Sequence, residues 1–308
     1  MTDKVNINCV SNIDSILSVF SQFPAHTVKE SFRNNVPCFE SFYNGMKFSS
    51  VADRVSVSGS IPKFDHGNNV RICSYDEIKQ SFNEISELIK VKCSDMRVSS
   101  MEVGANLYVK HKPETYFPLL GECPKMGYPQ AWASTLYYKG IKRRQKKFYD
   151  KMKDASAKGM KFDPSFYGQN LLRFEVSYKS ALLQQFGYFP SVENVLKKDN
   201  FNSLIDDWKK EFDMIRINQV PYLNATIRTS GEFKEYCAQK YMADNGAECI
   251  YSMIKYLNDS DCFSNPREKT RTYDMVRGVF SNDTISIDNE RVSELREQVG
   301  LLHELGRA

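Results

Sequence analysis

The segment KKFYDKMK sets Tyr149 among Lys146, Lys147, Lys151 and Lys153. A tyrosine with an ordinary pKa near 10 is only about 0.1 to 0.3% phenolate at neutral pH, a deficit of roughly 3.5 to 4 kcal/mol, so nucleophilic use requires nearby positive charge. Lys147, Lys151, Lys153 or a bound metal would provide it. The competing reading is a half-buried tyrosine beside Phe148 with its hydroxyl in water. Two carboxylates offer a second chemistry. Glu102 in MEVGANLYV and Glu175 in NLLRFEVSYK each lie on the polar side of an alternating segment. Two acids on neighbouring strands can hold a hard divalent cation such as Mg²⁺ or Mn²⁺ through oxygen. Arg173 shares that side with Glu175, so a solvated or arginine-paired carboxylate is the alternative there.

The elements that must position these groups follow from periodicity. Met101, Val103, Ala105, Leu107 and Val109 alternate with Glu102, Gly104, Asn106 and Tyr108, and Leu172, Phe174, Val176 and Tyr178 alternate with Arg173, Glu175 and Ser177, which is the period of two of half-polar strands. STLYYKG reads as a short strand entering a turn at Gly140, and Gln145 to Lys158 as a strand end passing into a helix that Gly159 stops. Upstream, SYDEIKQSFNEISELIK opens on a capping box of Ser74 and Glu77 and places Ile78, Phe82, Ile85 and Ile89 on one helical face. Leu204, Trp208, Phe212 and Ile215 mark another helix, closely followed by Pro221. Beyond about Gly231 two helical stripes appear, Ile250, Ile254 and Leu257, then Val292, Leu295, Val299 and Leu302. These elements predict an α+β fold in which an antiparallel sheet is backed by helices on one face and carries Glu102, Asn106, Arg173 and Glu175 on an open face. A boundary near residue 220 separates a domain over 1–220 from a mainly helical region over 221–308, to which self-association is assigned.

The chain has 308 residues, 41% hydrophobic and 26% charged, with a mean hydropathy of -0.49, values of an ordinary globular protein rather than a disordered or collagen-like one. No apolar run approaches the roughly 20 residues of a membrane helix, and the first 30 residues lack a signal-type apolar core, so a cytoplasmic location without membrane association is expected. The eight cysteines show no short paired spacing and no histidine beside two of them, which predicts free thiols and no zinc finger. Formal charge is only +4, but Lys139 to Lys161 contains ten basic residues against Asp150 and Asp154. That local field suits a phosphate backbone, while a solvated lysine-rich face is the ordinary explanation of such a run. Tyr137, Tyr138, Phe148 and Tyr167 are the aromatic candidates for stacking on unpaired bases.

LLRFEVSYKSALLQQFGYFPSVENVL, KKFYDKMK and SGSIPKFDHGNN together resemble the filamentous-phage gene-two/gene-ten replication initiator family, which also occurs on plasmids. The resemblance runs in order over about residues 55–215. STLYYKG, FYDK and LLRFE are more distantly similar to the initiators of rolling-circle plasmids of Gram-positive bacteria.

The resemblance implies an HUH-endonuclease-like fold and a DNA strand transferase in a bacterial host cell. Such an enzyme nicks one strand at the origin, links tyrosine to the 5′ phosphate, leaves a 3′ hydroxyl primer, and later rejoins the displaced strand. By motif position, Tyr149 is the nucleophile and Lys151 its neighbouring lysine. Glu102 and Glu175 are candidate ligands of Mg²⁺ or Mn²⁺, with His66 of KFDHGNN as a further candidate or a turn residue. The chain lacks the histidine pair of the HUH name. Lys139, Lys142, Arg143, Arg144, Lys146, Lys147 and Arg173 are the expected DNA contacts. Single-stranded and origin DNA, with host helicase and polymerase, are the expected partners, and oligomers are allowed. A DNA-binding regulator that keeps this fold but does not cut is the alternative, and an RNA-binding protein with a basic patch is a third reading.

Overall fold

The structure is a computed structural model that describes residues 1–127, 129–132, 134–140, 143–217, scattered positions between 229 and 272, and 289–308. Lys142, Pro221 and the stripe of Ile250, Ile254 and Leu257 lie outside the described residues. The chain divides into two compact units, residues 1–117, 122–215 and 295–308 forming the first and 118–121 and 216–294 the second. In the second, Gly121 donates its backbone N–H to the Arg216 carbonyl and residues 266–272 are helical.

The first unit begins with β1 (Thr2–Val10) and α1 (Ile13–Phe20), then an antiparallel meander of β2 (Lys29–Arg33), β3 (Val36–Tyr43), β4 (Met46–Val51) and β5 (Arg54–Ser60). Next come α2 (Ile61–His66), α3 (Tyr75–Ile89), β6 (Arg97–Tyr108), β7 (Gln130–Trp132), β8 (Thr135–Lys139), β9 (Arg144–Asp150), α4 (Lys151–Ala157), β10 (Leu171–Tyr178), α5 (Leu182–Phe186), α6 (Val192–Val195) and α7 (Lys198–Asp213). The last helix is α8 (Asn289–Arg307). The strands make one ten-stranded sheet in the order β2-β3-β4-β5-β1-β6-β10-β9-β8-β7, every pairing antiparallel. The α+β class read from the sequence is the class observed. The six described cysteines are free thiols, and no described helix is long and apolar enough to cross a membrane.

Periodicity explains the layers. In α3 the Ser74 side chain accepts from the Glu77 N–H, Glu77 accepts in return, and Ile78, Phe82, Ile85 and Ile89 are buried until Lys90, in the left-handed region, ends the helix. Along α7, Phe201, Leu204, Trp208 and Phe212 are buried. Phe148 of β9 stacks on Phe174 of β10 at 4.5 Å, and Trp208 sits 5.2 Å from Phe174. Phe174→Ala in such a core costs about 3 to 5 kcal/mol. Leu295 and Val299 of α8 are buried, and Asp206 of α7 meets His303 at 2.7 Å and Arg307 at 2.6 Å.

The opposite sheet face departs from expectation near β10. Arg173, Glu175 and Asn106 are buried rather than open, because the chain after α2 and helix α4 close over them. Val70, Ala155 and Leu171 form a small second core there, joined by Met152, Met160, Phe162 and Phe166. Every residue of β10 is buried, so its alternation separates two covered faces rather than core from solvent.

Candidate active site

Antiparallel register builds the site on three strands. Arg173 pairs with Asn106 of β6 and Tyr149 of β9, Glu175 with Gly104 and Lys147, and Ser177 with Glu102 and Gln145. Because alternate residues share a face, these side chains stand on one side of the sheet while Phe148, Phe174 and Val176 face the helices. Gly104 is required at the centre. A Cβ there would lie 2.7 Å from Glu175 Cγ and 3.4 Å from Arg173 Nη2, so the absence of a side chain is what lets both cross the strand.

Arg173 is the hub. Its Nε donates to Glu175 Oε1 at 2.6 Å, Nη1 to Asn106 Oδ1 at 2.8 Å and Nη2 to Asp3 Oδ2 at 2.7 Å. A planar guanidinium with three fixed acceptors holds two carboxylates rigidly, which a lysine could not do. Tyr149 donates its hydroxyl to Glu175 Oε1 at 2.8 Å. Lys147 lies 2.6 Å from Glu175 Oε2 and 3.4 Å from Glu102 Oε1, and Ser177 donates to Glu102 Oε1 at 2.9 Å. On the far side Asp3 Oδ1 accepts from Ser60, and Lys151 donates to Asn69 Oδ1 at 2.7 Å.

Burial and neighbouring charge set the proton affinities. For Glu175, burial pushes the carboxyl up, but Arg173 and Lys147 overcome it and hold the group well below the carboxylate range. For Tyr149, burial and then the Glu175 carboxylate push the phenol far above its ordinary value. Burial lowers Lys151 to about 8, with Arg173 adding to the effect. The resting site therefore contains a carboxylate and a neutral phenol, and transfer of the proton from Tyr149 to Glu175 is uphill.

Asp3, Glu102 and Glu175 each offer a ligand oxygen within 4.8 Å of the others. An all-oxygen carboxylate set suits a hard cation such as Mg²⁺ or Mn²⁺, and Lys147 holds the positive charge between two of the acids. Sequence reasoning brought together Tyr149, Glu102, Glu175, Arg173 and Lys147 but missed Asp3. Along β1, Asp3 has the parity of Val5, Ile7 and Cys9; a register shift between Thr2 and Val5 turns it to the site face. No signal in the sequence marks that shift. Asn69, in the stretch quoted as SGSIPKFDHGNN, was likewise not singled out.

Several expected residues stand elsewhere. His66 is grouped with Asp65, Cys73 and Glu77, not with the three acids. Lys151 reaches over the Tyr149 ring, 5.9 Å from its centroid, and bonds to Asn69 rather than to the tyrosine hydroxyl. Of the expected DNA contacts, Lys139 and Arg143 are exposed. Lys146 is fully buried on the helix side, 2.8 Å from Glu211, where it serves α7 rather than a DNA strand, and the partly exposed Arg144 pairs with Asp207 and Glu211 of the same helix. Arg173 is sealed in by its carboxylates. The parity that exposes Lys147 to the site turns Lys146 into the core. Among the aromatic candidates Tyr138 and Phe148 are buried, whereas Tyr167 is exposed.

Comparison with protein families matches residues 4–203 to the Phage_CRI family, described as the N-terminal part of a phage replication-associated protein. The chain belongs to this family. That membership gives it a replication role and agrees with the gene-two initiator resemblance read from RFE, FYDK and KFDHGNN. The match covers the strands and α4 that carry the site and begins one residue after Asp3. No curated protein matches the chain.

Proposed function

We propose that this member of the phage replication-associated family initiates rolling-circle DNA replication by nicking one origin strand with Tyr149. The observation that carries this reading is the 2.8 Å hydrogen bond from Tyr149 to Glu175 at the edge of the Asp3, Glu102 and Glu175 carboxylates. A nucleophile, a proton acceptor and a hard-cation donor set share one rigid sheet face, the positioning that phosphoryl transfer demands.

In the proposed reaction Tyr149 Oη forms a bond to the scissile phosphorus and the bond from phosphorus to the 3′ oxygen breaks. The products are a 5′-phosphotyrosine and a 3′ hydroxyl; rejoining runs the same steps in reverse. Glu175 Oε1 is the atom positioned to receive the phenol proton, which then passes through solvent to the departing 3′ oxygen to give the 3′ hydroxyl and restore the carboxylate. Because that transfer is uphill in the resting site, the proton moves as the new bond to phosphorus develops. Arg173 keeps Glu175 and Asp3 fixed, and Lys147 turns its charge from Glu175 toward the incoming phosphate. Asp3, Glu102 and Glu175 would hold Mg²⁺ or Mn²⁺, which when bound neutralises the non-bridging oxygens and lowers the phenol pKa. Exposed Lys139 and Arg143 are the proposed backbone contacts, and Tyr137 and Tyr167 the proposed base platforms. Origin and single-stranded DNA are the substrates; host helicase and polymerase would act on the primed product.

The test is incubation of the protein with end-labelled single-stranded oligonucleotides tiling its replicon, with Mn²⁺ or Mg²⁺, on denaturing gels beside Tyr149→Phe. A denaturant-resistant adduct that disappears in the variant is expected. An adduct that survives Tyr149→Phe assigns the nucleophile elsewhere, and specific binding without any adduct identifies a non-cutting regulator.

A further inference from the structure

A second cluster of ligating side chains lies outside the carboxylate site. Asp65 and His66 end α2, Cys73 precedes the cap of α3, and Glu77 stands in the first turn of α3. One donor atom from each of the four lies within 4.8 Å of the other three. The segment 67–73 between these elements carries Asn69, which bonds to Lys151, and Val70, whose carbonyl accepts from Asn106.

The histidine is arranged for a cation. Its Nδ1 lies 2.9 Å from Asp65 Oδ2, the carboxylate contact that orients a metal-ligating imidazole and directs its Nε2 toward the metal. That Nε2 is buried and has no hydrogen-bond partner among the described residues. It faces Glu77 Oε2 at 3.7 Å, too far for a hydrogen bond, and Cys73 Sγ is 4.0 Å from Asp65 Oδ2. Glu77 Oε2 accepts the Ser74 N–H at 2.8 Å and the Cys73 thiol points at Asp65, so within the cluster His66 Nε2 is the buried polar atom left without a partner, and a cation held between it, the sulfur and the Glu77 carboxylate would satisfy it. Tetrahedral zinc, with bonds of about 2.0 to 2.3 Å, places its ligands roughly 3.3 to 3.8 Å apart, close to these separations.

We infer that His66, Cys73 and Glu77, with Asp65 orienting the imidazole or completing the shell, bind a zinc-class divalent cation that clips segment 67–73 between α2 and α3. The thiolate and imidazole donors select zinc over Mg²⁺ or Mn²⁺, so this site and the carboxylate site differ in metal preference. Binding releases the Cys73 thiol proton to solvent as the metal–sulfur bond forms, and no electron is transferred. Arg71, 2.5 Å from Glu77 Oε1, balances the remaining carboxylate charge.

Stripping the full chain of metal and titrating it with Co²⁺ tests the inference without reference to cleavage. One equivalent is expected to produce thiolate-to-cobalt charge-transfer absorption that Zn²⁺ abolishes. Cys73→Ser should remove the band and His66→Gln should weaken Co²⁺ binding at least about tenfold, a loss of roughly 1.4 kcal/mol. Glu175→Gln, in the other site, should leave the band intact. Absence of the band in folded wild-type protein, or its persistence in Cys73→Ser, overturns the site. Should Cys73→Ser fail to fold, zinc-edge X-ray absorption on the wild-type chain decides: one sulfur in the shell supports the site and an oxygen and nitrogen shell alone refutes it.

Discussion

Lys147 Nζ lies 2.6 Å from Glu175 Oε2 on the neighbouring strand, so a lysine ammonium occupies the flank of the carboxylate cluster proposed to hold a divalent cation. Burial alone would lower the Lys147 pKa, yet Glu175 and Glu102 raise it overall, which keeps the lysine charged. A bound cation and this ammonium compete for the same two acids. Lys147→Met should tighten Mn²⁺ binding by about tenfold, equivalent to roughly 1.4 kcal/mol, while slowing strand cleavage through loss of a phosphate contact. Calorimetric titration with Mn²⁺ reads the first effect, and unchanged or weaker binding would refute the competition.

Gly104 links the fold directly to the chemistry. The 2.7 Å approach of an added Cβ to Glu175 Cγ requires Glu175 to move, and with it the acceptor of the Tyr149 hydroxyl. Gly104→Ala is expected to reduce adduct formation by at least about a hundredfold, since misplacing a reacting group by an ångström costs that much. Its folded far-ultraviolet dichroism should be retained. Full activity in the folded variant would show that Glu175 is not held in a unique position.

Lys151 makes stability depend on alkaline pH. Burial and Arg173 lower its pKa from 10.5 to about 8. Below pH 8 both folded and unfolded chains carry the proton and the penalty is full. Between pH 8 and 10.5 the unfolded chain binds more protons, so this group makes the fold more stable as pH rises, by at most about 3 kcal/mol. Cysteines and tyrosines titrate in the same range with the opposite sign, so the measurement is a difference. Denaturant midpoints of wild type and Lys151→Met should converge or cross as pH rises from 8 to 10, and parallel curves would contradict the depressed value.

The basic run separates into two roles that salt can distinguish. Lys139→Ala and Arg143→Ala should each flatten the log-log salt dependence of DNA binding by about one unit. Lys146→Ala should leave that slope unchanged and destabilise the fold, by about 3 kcal/mol, because Glu211 loses a buried partner. A reduced slope in folded Lys146→Ala would mean that this lysine reaches DNA.

Alternation and helical periodicity determined which segments became β6, β9, β10, α3 and α7, and the local motif around Ser74 and Glu77 fixed a helix start, because these signals depend only on neighbours in the chain. The same alternation placed Glu102, Arg173 and Glu175 on one face, and the RFE and FYDK segments mark the family by their letters alone. What only tertiary structure decided is what covers that face and which residues join it. The depth of the site comes from segment 67–73 and α4 folding over Arg173, a contact between elements far apart in sequence. Asp3 enters through a register shift between β1 and β6, which arises from pairing and leaves no mark in the strand's own letters. Lys146 and Lys147 read alike as members of a basic run, yet the pleat sends one to Glu211 beneath α7 and the other to Glu175, because successive side chains on a strand point in opposite directions.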